Sequence, residues 1–171
     1  MTATATGMPK GRAWFADESA ARKAVQMALP LIERAMQEKE VGESGFLYIV
    51  IMDPASQPGV DEFEVSILYE HAVGDRSKWD ADYARFARDK ARVVWRTGRD
   101  GHSIRAVSPH LLTSSDCGIW GAICLDGIVV GVSGCNPWYD EALAGSIAYC
   151  FRAIAKARAI KQPETPRLAD L

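Results

Sequence analysis

The chain has 171 residues, of which 48% are hydrophobic and 25% are charged, and its formal net charge is −2. This length is enough to bury the core of one domain, and the charge gives no overall attraction to nucleic acid or to anionic membranes. No apolar stretch reaches the roughly 18 residues of a membrane-spanning helix, and the first residues lack a secretory signal pattern. We therefore expect a cytoplasmic protein with no nucleic-acid or membrane partner, with one domain over 13–161 between flexible tails, 1–12 and 162–171.

The first predicted element is an amphipathic helix over 17–40, in which Pro30 predicts a kink or an early end. A nearly continuous apolar run at 46–52 predicts a buried strand, and alternating apolar residues predict a second strand over 62–70. Residues 80–97 predict a second helix, and 98–116 form a long connection that could cover a pocket.

A tight hairpin is predicted next, because two β-rich runs, 119–125 and Ile128–Ser133, flank Asp126-Gly127, a dipeptide that favours a type I′ turn. The turn sets the register, which pairs Ala122 with Gly131. One face of the hairpin is ordinary core, and the other is a shallow floor of small side chains. A ligand or a packing helix could approach the backbone there, so Gly131→Val should fill the floor and abolish binding without disturbing the fold.

A glycine loop leads from the hairpin into the last predicted helix. Asn136 suits the N-cap of this helix and Pro137 its first position, while Asp140 and Glu141 lie near the positive end of the helix dipole. The residues that recur at helical spacing and predict its buried stripe are Leu143, Ile147, Cys150, Phe151 and Ile154.

These residues also carry a resemblance to a known family. The run Asp126-Gly127-Ile-Val-Val-Gly131-Val-Ser133-Gly134, followed by Asp140-Glu141 and Ala144, resembles the signature of the GlcG/HbpS-like family, and Ala87-x-x-Lys90-Ala91 is a weaker match. That family includes heme-binding proteins and the C-terminal domain of PduO-type corrinoid adenosyltransferases. The resemblance spans about 20–159 and implies a profilin-like α/β (α+β) fold, with a single antiparallel sheet and flanking helices, that assembles into homo-oligomers.

The chain departs from the family pattern in two places. Residues 54–62 replace the short turn that the family has after Asp53, and Trp120 stands where the family favours a small or glycine-rich segment. Both departures bear on the ligand, so the family resemblance does not fix which ligand this chain binds.

The predicted ligand site lies around the glycine loop. Backbone N–H groups in the loop, followed by the start of the last helix, could bind an anion, and nearby aromatic rings could contact a planar molecule. The predicted ligand contacts are Trp120, Gly131, Ser133, Gly134, Cys135, Asn136, Trp138 and Tyr139. We expect the segment 102–116 to border the same site.

Arginines recur at intervals of three or four along the second predicted helix and its exit: Arg85, Arg88, Arg92, Arg96 and Arg99. Guanidinium groups suit carboxylates, so Arg92 and Arg96 are predicted to hold the carboxylates of a ligand. The alternative is a solvated face in which Asp82 and Asp89 pair with Arg85.

The three histidines match no metal motif, and the four cysteines form no CxxC pair, so we expect no metal site and reduced thiols. His110 and His102 are the candidate axial ligands of a heme, since each lies in the connection that could cover the floor. No serine nucleophile motif is present, and Glu141 is the best general base if the protein is an enzyme.

Two classes of function stay open. The first is a small-molecule-binding protein of GlcG/HbpS type, with heme or another planar, carboxylate-bearing molecule as its ligand. The second is a small lyase, isomerase or hydrolase that acts on an aromatic or carboxylic metabolite in a catabolic pathway. Exposed apolar helix faces and the family resemblance predict at least a dimer in both cases.

Overall fold

The computed structural model describes residues 11–162. In this part of the chain, one antiparallel sheet has the strand order β2-β1-β4-β3, with β1 (Leu47–Met52), β2 (Ile67–Val73), β3 (Ala122–Leu125) and β4 (Ile128–Ser133). The flanking α-helices are α1 (Glu18–Ala35), α2 (Tyr83–Thr97), α3 (Gly101–Val107) and α4 (Pro137–Lys161). The predicted α+β fold, a single antiparallel sheet with flanking helices, is confirmed.

The sheet is covered on both faces, which explains the continuous apolar run of β1. Alternate residues of β1, such as Ile49 and Ile51, pack with α1 and α4, and the residues between them, such as Val50, pack with α2. A strand that is buried on both faces has no polar side to present, so its sequence shows no alternation. The result is three layers: α1 with α4, the sheet, and α2.

The predicted hairpin is confirmed in its turn and in its register. Asp126 has φ 50° and Gly127 has φ 82°, as a type I′ turn requires, and Ala122 lies opposite Gly131. The predicted first strand is too long, however, because β3 begins only at Ala122. Gly121 has φ +142°, and a Cβ there would lie 2.7 Å from the Cβ of Asp140. The Gly121 carbonyl still accepts a hydrogen bond from the Val132 N–H, but the regular strand ends at this glycine and Trp120 lies outside it.

Other element boundaries differ from the predictions. Helix α1 contains Pro30 but ends at Ala35, five residues short of the predicted end. Residues 62–66 form a turn closed by a hydrogen bond from the Ser66 N–H to the Glu62 carbonyl, so β2 begins only at Ile67. Phe63 alternates as a strand residue would, but it packs against the Trp95 ring of α2 instead. The predicted connection over 98–116 contains α3 and a 3₁₀ turn, Pro109–Leu111.

Nearly all of both predicted tails lies outside the described residues. Of the first tail, Gly11 and Arg12 are described, and the Arg12 side chain is bound to Asp61 at 2.6 Å. In the described part of the chain, none of the helices has the length and apolarity needed to cross a membrane.

Candidate ligand site

The glycine loop between β4 and α4 already holds an anion, and that anion is the side chain of Asp140. The Cys135 N–H donates to Asp140 Oδ1 at 2.9 Å, and the Gly134 N–H also lies near enough to lower the pKa of this carboxylate. The next N–H, that of Asn136, donates to the carbonyl of Val41. The prediction that the loop offers free donors to an external anion is therefore wrong, because the first turn of α4 supplies a carboxylate from within the chain.

Lys90 of α2 completes this internal anion site. Its Nζ donates to Asp140 Oδ2 at 2.7 Å and to the Val132 carbonyl at 3.0 Å. Lys90 is 4% exposed and Asp140 is fully buried. Burial raises the pKa of Asp140 to about 6, while Lys90 and the loop N–H groups act in the opposite direction. The pair joins α2, β4 and α4 in the interior, where it is almost fully shielded from solvent and positions the loop.

Lys90 is absent from the predicted site residues, although a signal for its burial exists in the sequence. It lies in phase with Ala87, Ala91 and Val94 on the apolar stripe of α2, all of which are buried. A lysine on a buried stripe requires a partner, because an unpaired charge in the interior is costly. That signal indicates a buried pair but does not identify Asp140 as the partner.

The floor of small side chains on the hairpin is occupied by α2. A Cβ at Gly131 would lie 2.6 Å from the Ala87 carbonyl oxygen and 2.8 Å from the Ala91 Cβ. The sequence left open whether a ligand or a packing helix approaches the backbone here, and in the structure it is the packing helix. Gly131 has no space for a ligand beside it, and the expectation that valine is tolerated at this position is wrong.

The remaining predicted site residues either stabilise the loop or lie on the surface. Asn136 is the N-cap by its backbone conformation, but its side chain donates to the Glu40 carbonyl and makes no cap hydrogen bond. The Gly134 carbonyl accepts a hydrogen bond from Ser44, and Ser133 is buried at the end of β4. The Trp138 ring is 56% exposed and lies 6.4 Å from the Tyr139 ring.

The arginines of α2 are engaged with carboxylates of the same chain. Arg92 is bound to Glu64 at 2.8 Å and to Asp89, and Arg96 is bound to Asp116 at 2.5 Å. Arg88 makes a bidentate pair with Glu70. This arrangement matches the alternative in which the arginines form a solvated, paired face. Arg92 and Arg96, which were predicted to hold ligand carboxylates, are therefore paired with carboxylates of the chain itself.

Three of the predicted site residues do meet in space: Glu141, His102 and Trp120, called the Glu141 cluster below. The His102 backbone N–H lies near enough to the Glu141 carboxylate to lower its pKa, and the His102 ring lies 4.7 Å from the Trp120 ring. Gly101 permits this approach, since a Cβ there would lie 3.1 Å from the Trp120 Cβ. The start of α3 thus lies beside the first turn of α4.

The second carboxylate oxygen of Glu141, Oε2, is buried without a hydrogen-bond partner. Burial raises the pKa of Glu141, and the charge of nearby Asp100 acts in the same direction, whereas the His102 N–H lowers it. His102 itself is exposed and Trp120 is half-buried. The cluster therefore combines two accessible flat rings with one acceptor that lacks a donor.

His110, the other candidate axial ligand, lies exposed in the 3₁₀ turn. Over residues 11–162, no group of three or more His, Cys, Asp or Glu side chains is arranged to hold a metal ion. All four cysteines are free thiols. Burial raises the pKa of Cys135 to about 12, so its thiol stays protonated beside Asp140.

Comparison with known proteins adds one finding on the fold. No protein-family model and no curated protein sequence matches the chain. The crystal structure of Klebsiella pneumoniae protein ORFY, of family DUF336, is similar with a TM-score of 0.51 and 18% identity, over 90% of this chain and 99% of that chain. The crystal structure of Ybr137w protein is similar with a TM-score of 0.49 and 15% identity, over 78% of this chain and 83% of that chain. The chain therefore has the fold of the DUF336 protein ORFY.

Proposed function

We propose that the chain is a GlcG-like small-molecule-binding protein and that its ligand site is the Glu141 cluster. The fold of ORFY supports the family, because DUF336 proteins are known as GlcG-like, and so does the motif from Asp126 to Ala144. The observation that carries the site is the buried Glu141 Oε2 without a partner. Such an atom costs about 1–3 kcal/mol, and a ligand donor would remove that cost.

The cluster favours a planar ligand that presents a hydrogen-bond donor. The flat faces of Trp120 and His102 suit an aromatic ring, and the unpartnered oxygen of Glu141 suits an N–H group. A ligand carboxylate would instead meet the like charge of Glu141. The proposed ligand is therefore planar, as the sequence predicts. It has no need of a carboxylate, because Arg92 and Arg96, which were predicted to bind one, are paired with Glu64 and Asp116.

Heme, the cofactor that the family resemblance implies, fits the cluster at one point only. The His102 imidazole is exposed and could serve as one axial ligand. Arg92 and Arg96, the predicted partners of the heme carboxylates, are engaged with Glu64 and Asp116. Heme binding is therefore a separate outcome of the test below.

The test is a titration with proflavine, a planar heteroaromatic cation with amino donors. We expect Glu141→Gln to weaken binding by about 10-fold or more, because a hydrogen bond to a charged group contributes about 1.5–3 kcal/mol. Trp120→Ala should weaken binding by a similar factor, because it removes the ring on which the ligand stacks. His110→Ala is the matched control and should bind like the wild type, and 9-anthracenecarboxylate should bind more weakly than proflavine.

Equal proflavine affinity of the wild type and a folded Glu141→Gln variant would contradict the proposed site. Hemin is titrated in parallel and followed by absorbance. A Soret shift that is lost in His102→Ala and kept in His110→Ala would assign heme to the cluster, and the absence of any shift would exclude heme as its ligand.

Catalysis is the second candidate function, and the raised pKa of Glu141 favours it. A carboxylate with a raised pKa is a better general base near neutral pH, which suits proton abstraction by an isomerase. With phenylacetaldehyde as the probe, which has no carboxylate to meet the charge of Glu141, Glu141 would take a proton from the benzylic carbon and a water molecule would donate one to the carbonyl oxygen. We expect the wild type to accelerate deuterium exchange at that carbon, measured by NMR, and Glu141→Gln to lack this effect. Equal rates for the two proteins would contradict an enzymatic role.

A further inference from the structure

A groove of about 310 Å³ lies between α1 and α4, on the side of these helices away from the sheet. Met27 of α1 and Ala153, Ile154 and Ala157 of α4 form its floor. Its rim carries cationic side chains, Lys23, Arg158 and Lys161. The groove therefore combines an apolar floor with positive charge at its edge.

Helix α4 carries a second, narrower apolar stripe on this outer side, besides the stripe that faces the sheet. Leu143, Ile147 and Phe151 are buried against the sheet, while Ala153, Ala157 and Ile160 are exposed, Ile160 by 79%. A helix on the surface of a domain normally needs only the apolar stripe that faces the core. The outer side of α4 is therefore a surface suited to an apolar partner.

The rim lysines differ from the neighbouring arginines in having no partner within the described residues. Arg22 is paired with Glu18, and Arg158 is held by Asp17 at 2.8 Å, whereas Lys23 and Lys161 make no ion pair or hydrogen bond there. Lys161 lies in the last turn of α4, where its charge suits the helix dipole. Lys23 lies in the second turn of α1, where the dipole gives no such reason for a cation.

We propose that this groove binds an amphiphilic carboxylate with an unbranched alkyl chain. The chain would cover Met27, Ala153 and Ala157, and the carboxylate would meet Lys23 and Lys161. Charge complementarity favours this occupant over a second copy of the protein. A twofold contact centred on the groove would bring Lys23 and Lys161 of two copies together, and like charges in an interface are unfavourable.

The test is calorimetric titration of the full chain with decanoate, below its micelle concentration and at low salt. Ala157→Glu should weaken binding more than 10-fold, because it places a charge where the alkyl chain lies. The matched control is Ala142→Glu, at an exposed alanine near the other end of α4. Lys23→Gln and Lys161→Gln together should weaken binding several-fold, whereas Lys78→Gln should not. Decyltrimethylammonium, with the same chain and the opposite charge, should bind more weakly than decanoate.

Three outcomes of the titration would overturn this assignment. They are the absence of saturable decanoate binding, equal loss of binding in Ala142→Glu and Ala157→Glu, and equal affinity for decanoate and decyltrimethylammonium. Sedimentation tests the alternative occupant of the groove, a second copy of the protein. If Ala157→Glu dissociates a dimer that decanoate leaves intact, the groove is an interface between copies and the proposal is wrong. Because the double lysine variant leaves the floor unchanged, it tests the groove even if a floor variant fails to fold.

Discussion

Lys90→Met is expected to lower the free energy of unfolding by about 3–5 kcal/mol at about pH 8, because it leaves a buried carboxylate without its cation. Asp140 is fully buried and bound to Lys90 Nζ at 2.7 Å, and the remaining loop donors are neutral N–H groups. Urea unfolding followed by circular dichroism measures the effect. Lys156→Met, at an exposed lysine of α4, is the control and should change stability by less than about 0.5 kcal/mol.

The loss in Lys90→Met should shrink as the pH falls. The pKa of Asp140 is already raised to about 6 by burial, and removal of Lys90 raises it further. A group whose pKa is higher in the folded state binds its proton more tightly there, so stability rises as the pH falls through the folded pKa. The destabilisation should therefore be largest at about pH 8 and distinctly smaller at about pH 5.

A second substitution separates the charge of Asp140 from its packing. Asp140→Asn, added to Lys90→Met, removes the unpaired charge and keeps a carbonyl oxygen for the Cys135 N–H. We expect the double variant to regain at least about 1 kcal/mol at about pH 8 relative to Lys90→Met. If the double variant were less stable than Lys90→Met, the loss would lie in packing, and the internal anion site would not be the cause.

Gly131→Val is expected to destabilise the fold by about 3 kcal/mol or more, because even its Cβ overlaps the backbone of α2. The Ala87 carbonyl oxygen would lie 2.6 Å from that Cβ and the Ala91 backbone nitrogen 3.1 Å from it. Backbone atoms of a packed helix cannot move aside as the end of a flexible side chain can. Thermal unfolding should show a decrease of roughly 6–12 °C.

The control for this prediction is Gly145→Ala in α4, where a Cβ would meet no atom within 4 Å. Alanine is favoured over glycine inside a helix by about 0.5–1 kcal/mol, so this variant should be slightly stabilised. Gly131→Ala, which adds the Cβ alone, should lose stability. Unchanged stability of Gly131→Ala would show that α2 does not pack as closely on β4 as the structure has it.

Local sequence determines the elements whose signals lie within a few residues. Asp126-Gly127 specifies the hairpin turn and its register, because positive φ angles are readily adopted there. Pro137 and the stripe of Leu143, Ile147 and Phe151 likewise predict α4 and its buried side. The strand boundary at Gly121 was not predictable in this way, since it coincides with the close approach of Asp140, which belongs to another element.

The candidate site was determined only in part by the sequence, and the tertiary structure decided the rest. The loop sequence predicts an anion-binding loop, but α4 folds so that its own Asp140 is the anion and Lys90, about 50 residues earlier in the chain, is the counter-ion. The small side chains around Gly131 predict close approach, and the packing of α2 decides that a helix approaches. Glu141, His102 and Trp120 are each recognisable in the sequence, but their proximity depends on α3. The sequence pattern predicts only a long connection in the place of this helix. Charge pairing and close packing act between residues distant in sequence, so local patterns specify which groups need a partner, and the fold decides which partner they receive.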